Sequence, residues 1–164
     1  MNESPEGSDP LAQHRVEILS MDPLILRDRY EIEYRHSYAQ DTPFFLGLSK
    51  GELLGSRCTQ CRYFYATPRR HCMECGHATT WERLPTTARI HTFTVCYYGS
   101  ERFLKETPYV LILVEFEGVN TLFLSRLKGV DPEQVRIGMP VRPRFAKEPT
   151  YTVTDVWFEP IEQG

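Results

Sequence analysis

Two short cysteine pairs carry the strongest chemistry in this chain: Cys58 with Cys61, and Cys72 with Cys75, each written Cys-x-x-Cys with ten residues between the pairs. A Cys-x-x-Cys turn sets two sulfurs close enough to share one metal ion. Two such turns facing each other across a hairpin make a tetrahedral four-sulfur site with bonds of about 2.3 Å. Soft thiolates in that geometry select Zn²⁺, with iron as the chemical alternative for the same ligands. Four cysteines fill the coordination shell, whereas a catalytic zinc keeps a position open for water. The expected site is therefore structural, and His71 and His77 read as flanks of the second knuckle rather than replacements for a cysteine. A thioredoxin-type redox pair would stand singly in a βαβ pattern, which this sequence lacks. Residues 57–87 are too few to bury a core of their own, and structural zinc supplies on the order of ten kcal/mol to such a module.

Around the knuckles stand Arg57, Arg62, Arg69, Arg70, Arg83 and Arg89, against Glu74 and Glu82. Two accounts fit: cations that offset the negative tetrathiolate, or a surface for the phosphates of a ligand such as coenzyme A or RNA. The aromatics of "YFYATPRR" (63–70) belong to the hairpin arm between the knuckles and are expected to pack against a neighbouring surface.

Nothing else has the form of an active site. Cys96 lies in "TFTVCYY", a strand pattern, where a free cysteine behaves as a small apolar residue. His91, five residues earlier on the same strand, is expected on the opposite face. There is no Gly-x-Ser-x-Gly elbow, phosphate loop or dinucleotide fingerprint. No catalytic residue is assigned to this chain.

The elements that must position the cysteines follow from pattern. Residues 1–23 are rich in proline and polar residues and read as an arm without a core. Residues 24–56 read as a helical and extended lead-in. In "DTPFFLGLSKG", Asp41 or Thr42 caps a helix, Pro43 suits its first turn, Phe44, Phe45 and Leu48 share a face, and Gly51 stops it. "DRYEIEYRHSY" fits a strand through Tyr30, Ile32 and Tyr34, or a helix through Tyr34 and Tyr38. Residues 57–87 form the ribbon. Residues 88–160 then offer five strand candidates, at 89–98, 109–116, 121–127, 139–145 and 151–158. A short helical link capped by Asp131, with Pro132 in its first turn, stands between the third and fourth. That order predicts a five-stranded Greek-key barrel of the OB type, with an SH3-like barrel or a sandwich fragment as the competitor. The fold class is mainly β with short helices.

With 164 residues and 41% hydrophobic content the chain is a globular protein of one medium or two small domains. A net charge of −3 argues against a strong nucleic-acid binder. No run reaches the roughly 18 apolar residues of a membrane span, and the acidic start "MNESPEGSDP" is no secretory or transit signal. Five cysteines, an odd number, suit an intracellular protein better than a disulfide scaffold. A cytoplasmic location is the expectation.

Taken in order, "GELLGSRCTQCRYFYATPRRHCMECG", "HTFTV", "ETPYVLILVEFEG" and "VRIGMPVRPRF" resemble the two-domain zinc-ribbon/OB-fold proteins associated with acyl-CoA enzymes. The likeness covers roughly residues 42–158. It implies an N-terminal helical segment, a rubredoxin-like ribbon held by Zn²⁺ on Cys58, Cys61, Cys72 and Cys75, and an OB domain. Such proteins are small partners of thiolase-superfamily enzymes, including acetoacetyl-CoA thiolases, acyltransferases, steroid side-chain aldolases and the benzoylsuccinyl-CoA thiolase of aromatic degradation. One departure stands out: the family often has glycine after the second cysteine of the first knuckle, where this chain has Arg62.

The resemblance implies a non-catalytic subunit in a hetero-oligomer with a thiolase-like catalytic chain, helping to bind an acyl-CoA whose carbon–carbon bond is cleaved or formed. Arg69, Arg70, Lys105, Arg126 and Lys128 are the basic candidates for contact with coenzyme A. Two other readings compete. One is a nucleic-acid module with Tyr97, Tyr98 and Phe123 stacking bases, disfavoured by the acidic balance. The other is a pure assembly scaffold without ligand contact.

Overall fold

A computed structural model describes residues 15–29 and 32–161. The chain divides into two compact units, residues 1–37 and 38–164. The part of the expected arm before residue 15, and Tyr30, lie outside the described residues.

Strands β1 (Arg15–Met21) and β2 (Leu24–Arg29) of the first unit pair antiparallel across the turn at Asp22–Pro23. The hairpin crosses the expected boundary between arm and lead-in at residue 23. Val16 and Ile18 on one strand and Leu24, Ile25 and Leu26 on the other supply the β-prone residues, and all five are exposed. Residues 32–37 form neither the strand nor the helix weighed for them.

In the second unit, helix α1 (Thr42–Ser49) follows a 3₁₀ turn at Ala39–Asp41. Pro43 sits in its first turn and Gly51, at φ +74°, takes the left-handed conformation beyond its end. Neither expected cap is made: the Asp41 side chain makes no capping hydrogen bond, and the Thr42 hydroxyl donates backwards to the Ala39 carbonyl at 2.7 Å. Phe44, Gly47 and Leu48 form the buried face.

The ribbon sheet has the order β4 (Phe64–Tyr65), β3 (Leu54–Cys58), β5 (Thr79–Arg83), antiparallel throughout. Gly55 permits the close approach of β3 to β4. A Cβ there would stand 2.4 Å from the Tyr65 carbonyl oxygen, a backbone atom that cannot move aside.

Five further strands close a barrel in the order β10-β8-β7-β6-β9: β6 (Ala88–Cys96), β7 (Tyr109–Glu115), β8 (Phe123–Leu127), β9 (Pro140–Phe145) and β10 (Val156–Pro160). The pairing is antiparallel except at the closing seam, where β10 lies parallel to β8. Alternate residues Val110, Ile112 and Val114 of β7, and Phe123, Ser125 and Leu127 of β8, point inward. The link before β9 is a 3₁₀ turn at Pro132–Gln134 whose Asp131 side chain accepts the Glu133 N–H at 2.9 Å, as the sequence predicts. A short helix α2 (Glu101–Leu104), not anticipated, sits between β6 and β7.

The last strand starts later than the expected 151. Asp155 is buried and accepts hydrogen bonds from the Thr150 hydroxyl (2.6 Å) and backbone N–H (2.9 Å). These bonds curl Val153–Asp155 into a 3₁₀ turn ahead of β10.

One apolar core runs through ribbon base and barrel. It joins Phe44 and Leu48 of α1 and Phe64, Ala66 and Leu84 of the ribbon to Ile90, Ile112, Phe123, Val141 and Phe158 of the barrel. A separate small cluster holds Cys58, Tyr65 and Cys72 with Tyr63 against it. No helix among the described residues is long and apolar enough to cross a membrane.

Candidate metal centre

The two knuckles repeat one backbone plan. Cys58 N–H donates to the Tyr63 carbonyl at 2.9 Å and Cys72 N–H to the His77 carbonyl at 2.8 Å, so each loop closes five residues after its first cysteine. The fourth residue past that cysteine is left-handed in both, Arg62 at φ +65° and Gly76 at φ +76°. The position usually held by glycine thus keeps its conformation here with an arginine in it.

These loops bring the sulfurs of Cys58, Cys61, Cys72 and Cys75 all within 4.8 Å of one another. Closest pairs are Cys58–Cys75 at 3.4 Å and Cys61–Cys72 and Cys61–Cys75 at 3.5 Å. Bonds of about 2.3 Å in a tetrahedron require sulfur separations of about 3.8 Å, so the set suits a tetrahedral thiophilic ion. Backbone N–H groups of Gln60 and Cys61 donate to Cys58 Sγ, each at 3.4 Å. Neither His71 nor His77 belongs to the cluster; His77 Nδ1 lies 3.0 Å from the Cys75 carbonyl oxygen.

Without a cation the four sulfurs cannot all be thiolates, and their proton affinities split. Burial pushes the Cys72 thiol up, but the Tyr65 hydroxyl and the N–H groups of Glu74 and Cys75 outweigh it and bring it down to about 6. The Tyr63 N–H pulls Cys61 down, yet burial and the neighbouring sulfurs prevail and push it up to about 12. Burial raises Cys58 too, but the N–H groups of Cys61 and Gln60 and the adjacent sulfurs leave it lowered. Metal binding therefore displaces the protons that the cluster retains, since all four ligands bind as thiolates. Zn²⁺, when bound, would cross-link the knuckles as a closed structural centre.

Tyr65 is what sequence reasoning missed here. It was read only as packing, but its hydroxyl stands 3.3 Å from Cys72 Sγ and accepts the Met73 N–H at 2.8 Å. The single available signal was a tyrosine in the short arm between the knuckles. Asn120 and Thr121 were missed as well. Asn120 Oδ1 accepts the Phe64 N–H (2.8 Å), the Thr121 hydroxyl accepts the Ala66 N–H (2.9 Å), and Asn120 N–H returns a bond to the Phe64 carbonyl (2.9 Å). The turn between β7 and β8 thereby grips the ribbon arm.

The surrounding arginines are partly structural. Arg57 makes a bidentate pair with Glu82 at 2.7 and 2.8 Å and covers the Phe64 ring at 4.0 Å. That pair raises Arg57 and lowers Glu82. Arg83 pairs with Glu52, and Arg89 donates to the Gly138 carbonyl.

The basic candidates fall into two places. Arg69 and Arg70 are exposed and line a cavity of about 120 Å³ with Gln40, Asp41, Pro68, Thr79 and Trp81. Asp41 and Pro68 also line an apolar trough of about 360 Å³ walled by Phe44, Phe45, Phe123, Leu124 and Val153. Arg126 and Lys128 line a third cavity of about 430 Å³ with Glu106 and Tyr109. There Arg126 is paired with Glu106 at 2.5 Å, its Nε is buried without a hydrogen-bond partner, and Lys128 Nζ lies 4.9 Å over the Trp157 ring. Lys105, next to Glu106 in the chain, is exposed and does not line that cavity.

His91 and Cys96 need a correction. A bulge between Ile90 and Thr92 resets the alternation of β6, so Phe93 and Val95 pack inward and Cys96 shares the outward face with His91. They still do not pair. His91 Nδ1 is 3.0 Å from Glu115, Cys96 stands opposite Tyr109, and five strand residues span roughly 16 Å.

Comparison with known proteins agrees with this architecture. Residues 47–82 match the family model described as ChsH2, rubredoxin-like zinc ribbon domain, and residues 81–146 match ChsH2, C-terminal OB-fold domain. A DUF35 domain-containing scaffold protein of Methanocaldococcus jannaschii is 30% identical over 97 residues, 58% of this chain and 68% of that protein. Its counterpart in Methanothermobacter thermautotrophicus is 32% identical over 97 residues, 58% of this chain and 72% of that one. A probable enoyl-CoA hydratase alpha subunit of Thermomonospora curvata is 29% identical over 122 residues, 73% of this chain but 35% of its own length. Among solved structures, one described as an Ltp2-ChsH2(DUF35) aldolase superposes with a TM-score of 0.63 at 24% identity, over 80% of this chain and 98% of that one. A DUF35-family protein of unknown function from Sulfolobus solfataricus gives 0.57 at 17% identity, over 78% and 90%.

Proposed function

The chain belongs to the DUF35 family of ChsH2-type zinc-ribbon and OB-fold proteins, and from that membership we propose that it is a non-catalytic subunit of a thiolase-type complex in the cytoplasm. It holds an acyl-CoA while the partner chain cleaves or forms a carbon–carbon bond in the thioester, in a setting such as aromatic-compound degradation. The observation that carries the reading is the matched pair of domains, ribbon then barrel, across residues 47–146. The closed four-sulfur centre supports a structural zinc rather than a reacting one.

Of the two basic places, the Arg69–Arg70 cavity suits coenzyme A better. Arg126 is already balanced by Glu106, whereas Arg69 and Arg70 stand exposed beside the Trp81 ring. Thr79 fixes the backbone on which both arginines sit, its N–H donating to the Arg70 carbonyl at 3.1 Å and its hydroxyl to the Arg69 carbonyl. Two guanidiniums take phosphate, an indole face takes a base, and the adjoining trough takes an apolar acyl group.

The relatives' description as scaffold proteins favours a second reading, assembly without ligand contact. Purification of the protein from its native cell extract, with mass spectrometry of what accompanies it, tests the shared premise. A stoichiometric thiolase-like chain is expected, and recovery of nucleic acid or ribosomal proteins would overturn it. Within the recovered complex, Arg70→Ala is expected to weaken acyl-CoA binding about tenfold or more with the assembly intact. Unchanged affinity would leave the scaffold reading.

A further inference from the structure

The metal centre's outer shell contains one side chain that no knuckle pattern requires. Tyr65 is 3% exposed, on the short strand β4. Its oxygen accepts the Met73 N–H at 2.8 Å, and Cys72 Sγ lies 3.3 Å away. A tyrosine hydroxyl has one proton to give. The Met73 N–H already occupies its oxygen, and a metal-bound thiolate at Cys72 has no proton of its own and can only accept, so that proton is the one available to the sulfur. Backbone N–H groups serve Cys58 in the first knuckle; Cys72, which also has backbone donors, is reached in addition by a side chain from β4.

The position of Tyr65 is not left to the ribbon alone. The residues on either side of it, Phe64 and Ala66, are tied through their N–H groups to Asn120 and Thr121 of the barrel turn. Tyr63 packs on its ring at 4.8 Å and the Arg69 guanidinium stands 5.8 Å from the ring centroid. The barrel thus sets the strand that sets the hydroxyl.

We infer that Tyr65 is the positioning residue of the metal centre: its hydroxyl donates to the Cys72 thiolate, holding the second knuckle against the first and withdrawing charge from that sulfur. A group fixed in this way retains the metal and makes Cys72 a weaker electron donor to it. It also couples metal retention to the junction between ribbon and barrel.

Tyr65→Phe removes the hydroxyl and keeps the ring. Zinc affinity, measured by competition with a chromophoric chelator on the full chain, is expected to fall about 10- to 100-fold. In the cobalt-substituted protein the sulfur-to-metal charge-transfer band is expected to shift to lower energy, since the unbonded thiolate donates more strongly. A residue that only packs would lower the melting temperature and leave that band in place. Placing 3,5-difluorotyrosine at position 65 keeps the shape and strengthens the donor, so the band should move to higher energy. This second variant decides the matter if Tyr65→Phe fails to fold. An unmoved band in the difluorotyrosine protein, or wild-type zinc affinity in Tyr65→Phe, would overturn the assignment.

Discussion

Arg62 and Gly76 occupy equivalent places in the two knuckles with nearly the same positive φ, and only one of them is glycine. For a residue with a Cβ, the left-handed region costs about 1–2 kcal/mol. Arg62 is exposed, and its carbonyl, which accepts from Arg57 at 3.2 Å, survives any substitution. Arg62→Gly is therefore expected to raise stability by about 1 kcal/mol. At Gly76 an added Cβ meets nothing within 4 Å, so Gly76→Ala is expected to cost about the same amount through conformation alone. Thermal melts of the two zinc-loaded variants check the pair. Equal shifts of the same sign would show that the loops do not share one backbone plan. At this scale much was legible: the four cysteines follow from spacing, and the glycine departure from the family resemblance. Tyr65 was not, because its role depends on a strand two residues long whose course is set by the barrel turn.

Elements are where local pattern and tertiary structure part company. Strands β7 to β9 and the turn capped by Asp131 follow the alternation and cap residues written in the sequence. The hairpin Arg15–Arg29 was hidden because proline and polar residues around it read as an arm. The His91 bulge was hidden because a bulge is a pairing event with β7, invisible along one strand. The late start of β10 comes from Asp155. Burial pushes that carboxyl up, but donors from Thr150, then Thr152 and Tyr151, outweigh it and hold it below the ordinary carboxylate range. A folded pKa below the unfolded one stabilises fully above the unfolded value, about 4, and the stabilisation is lost as pH falls through the folded value. Melting temperature is thus expected to fall on acidification below about pH 4. Asp155→Asn should be less stable at neutral pH and show a shallower acid slope. Part of the slope should remain, because Glu82 and Glu159 are lowered as well, Glu82 by Arg57 and Glu159 by Trp157 and Arg144. An unchanged profile would remove Asp155 from the account.

Across the whole second unit, the metal and the apolar core hold different ends of the ribbon. Cys58, Tyr65 and Cys72 form the distal cluster, while Phe64, Ala66 and Leu84 belong to the core shared with the barrel. Chelation is expected to release the amides of Cys58, Cys72 and Gly76 to hydrogen exchange, since their partners lie within the knuckles. The amides of Ala66, Leu84 and Ile90 should stay protected. Loss of protection at Ile90 would show that the metal sustains the barrel too. The shared core also bears on the order in which the molecule can be built. The cysteine loops close through contacts between residues 58 and 79, so a metal site can assemble early from local chain. Phe44, Leu48 and Phe64 must wait for Phe123 and Phe158, far later in the sequence, before their rings are covered. During synthesis the ribbon can thus hold its metal, with Tyr65 not yet fixed by the barrel turn, above an uncovered apolar base, and that interval is when the nascent chain is most prone to aggregate.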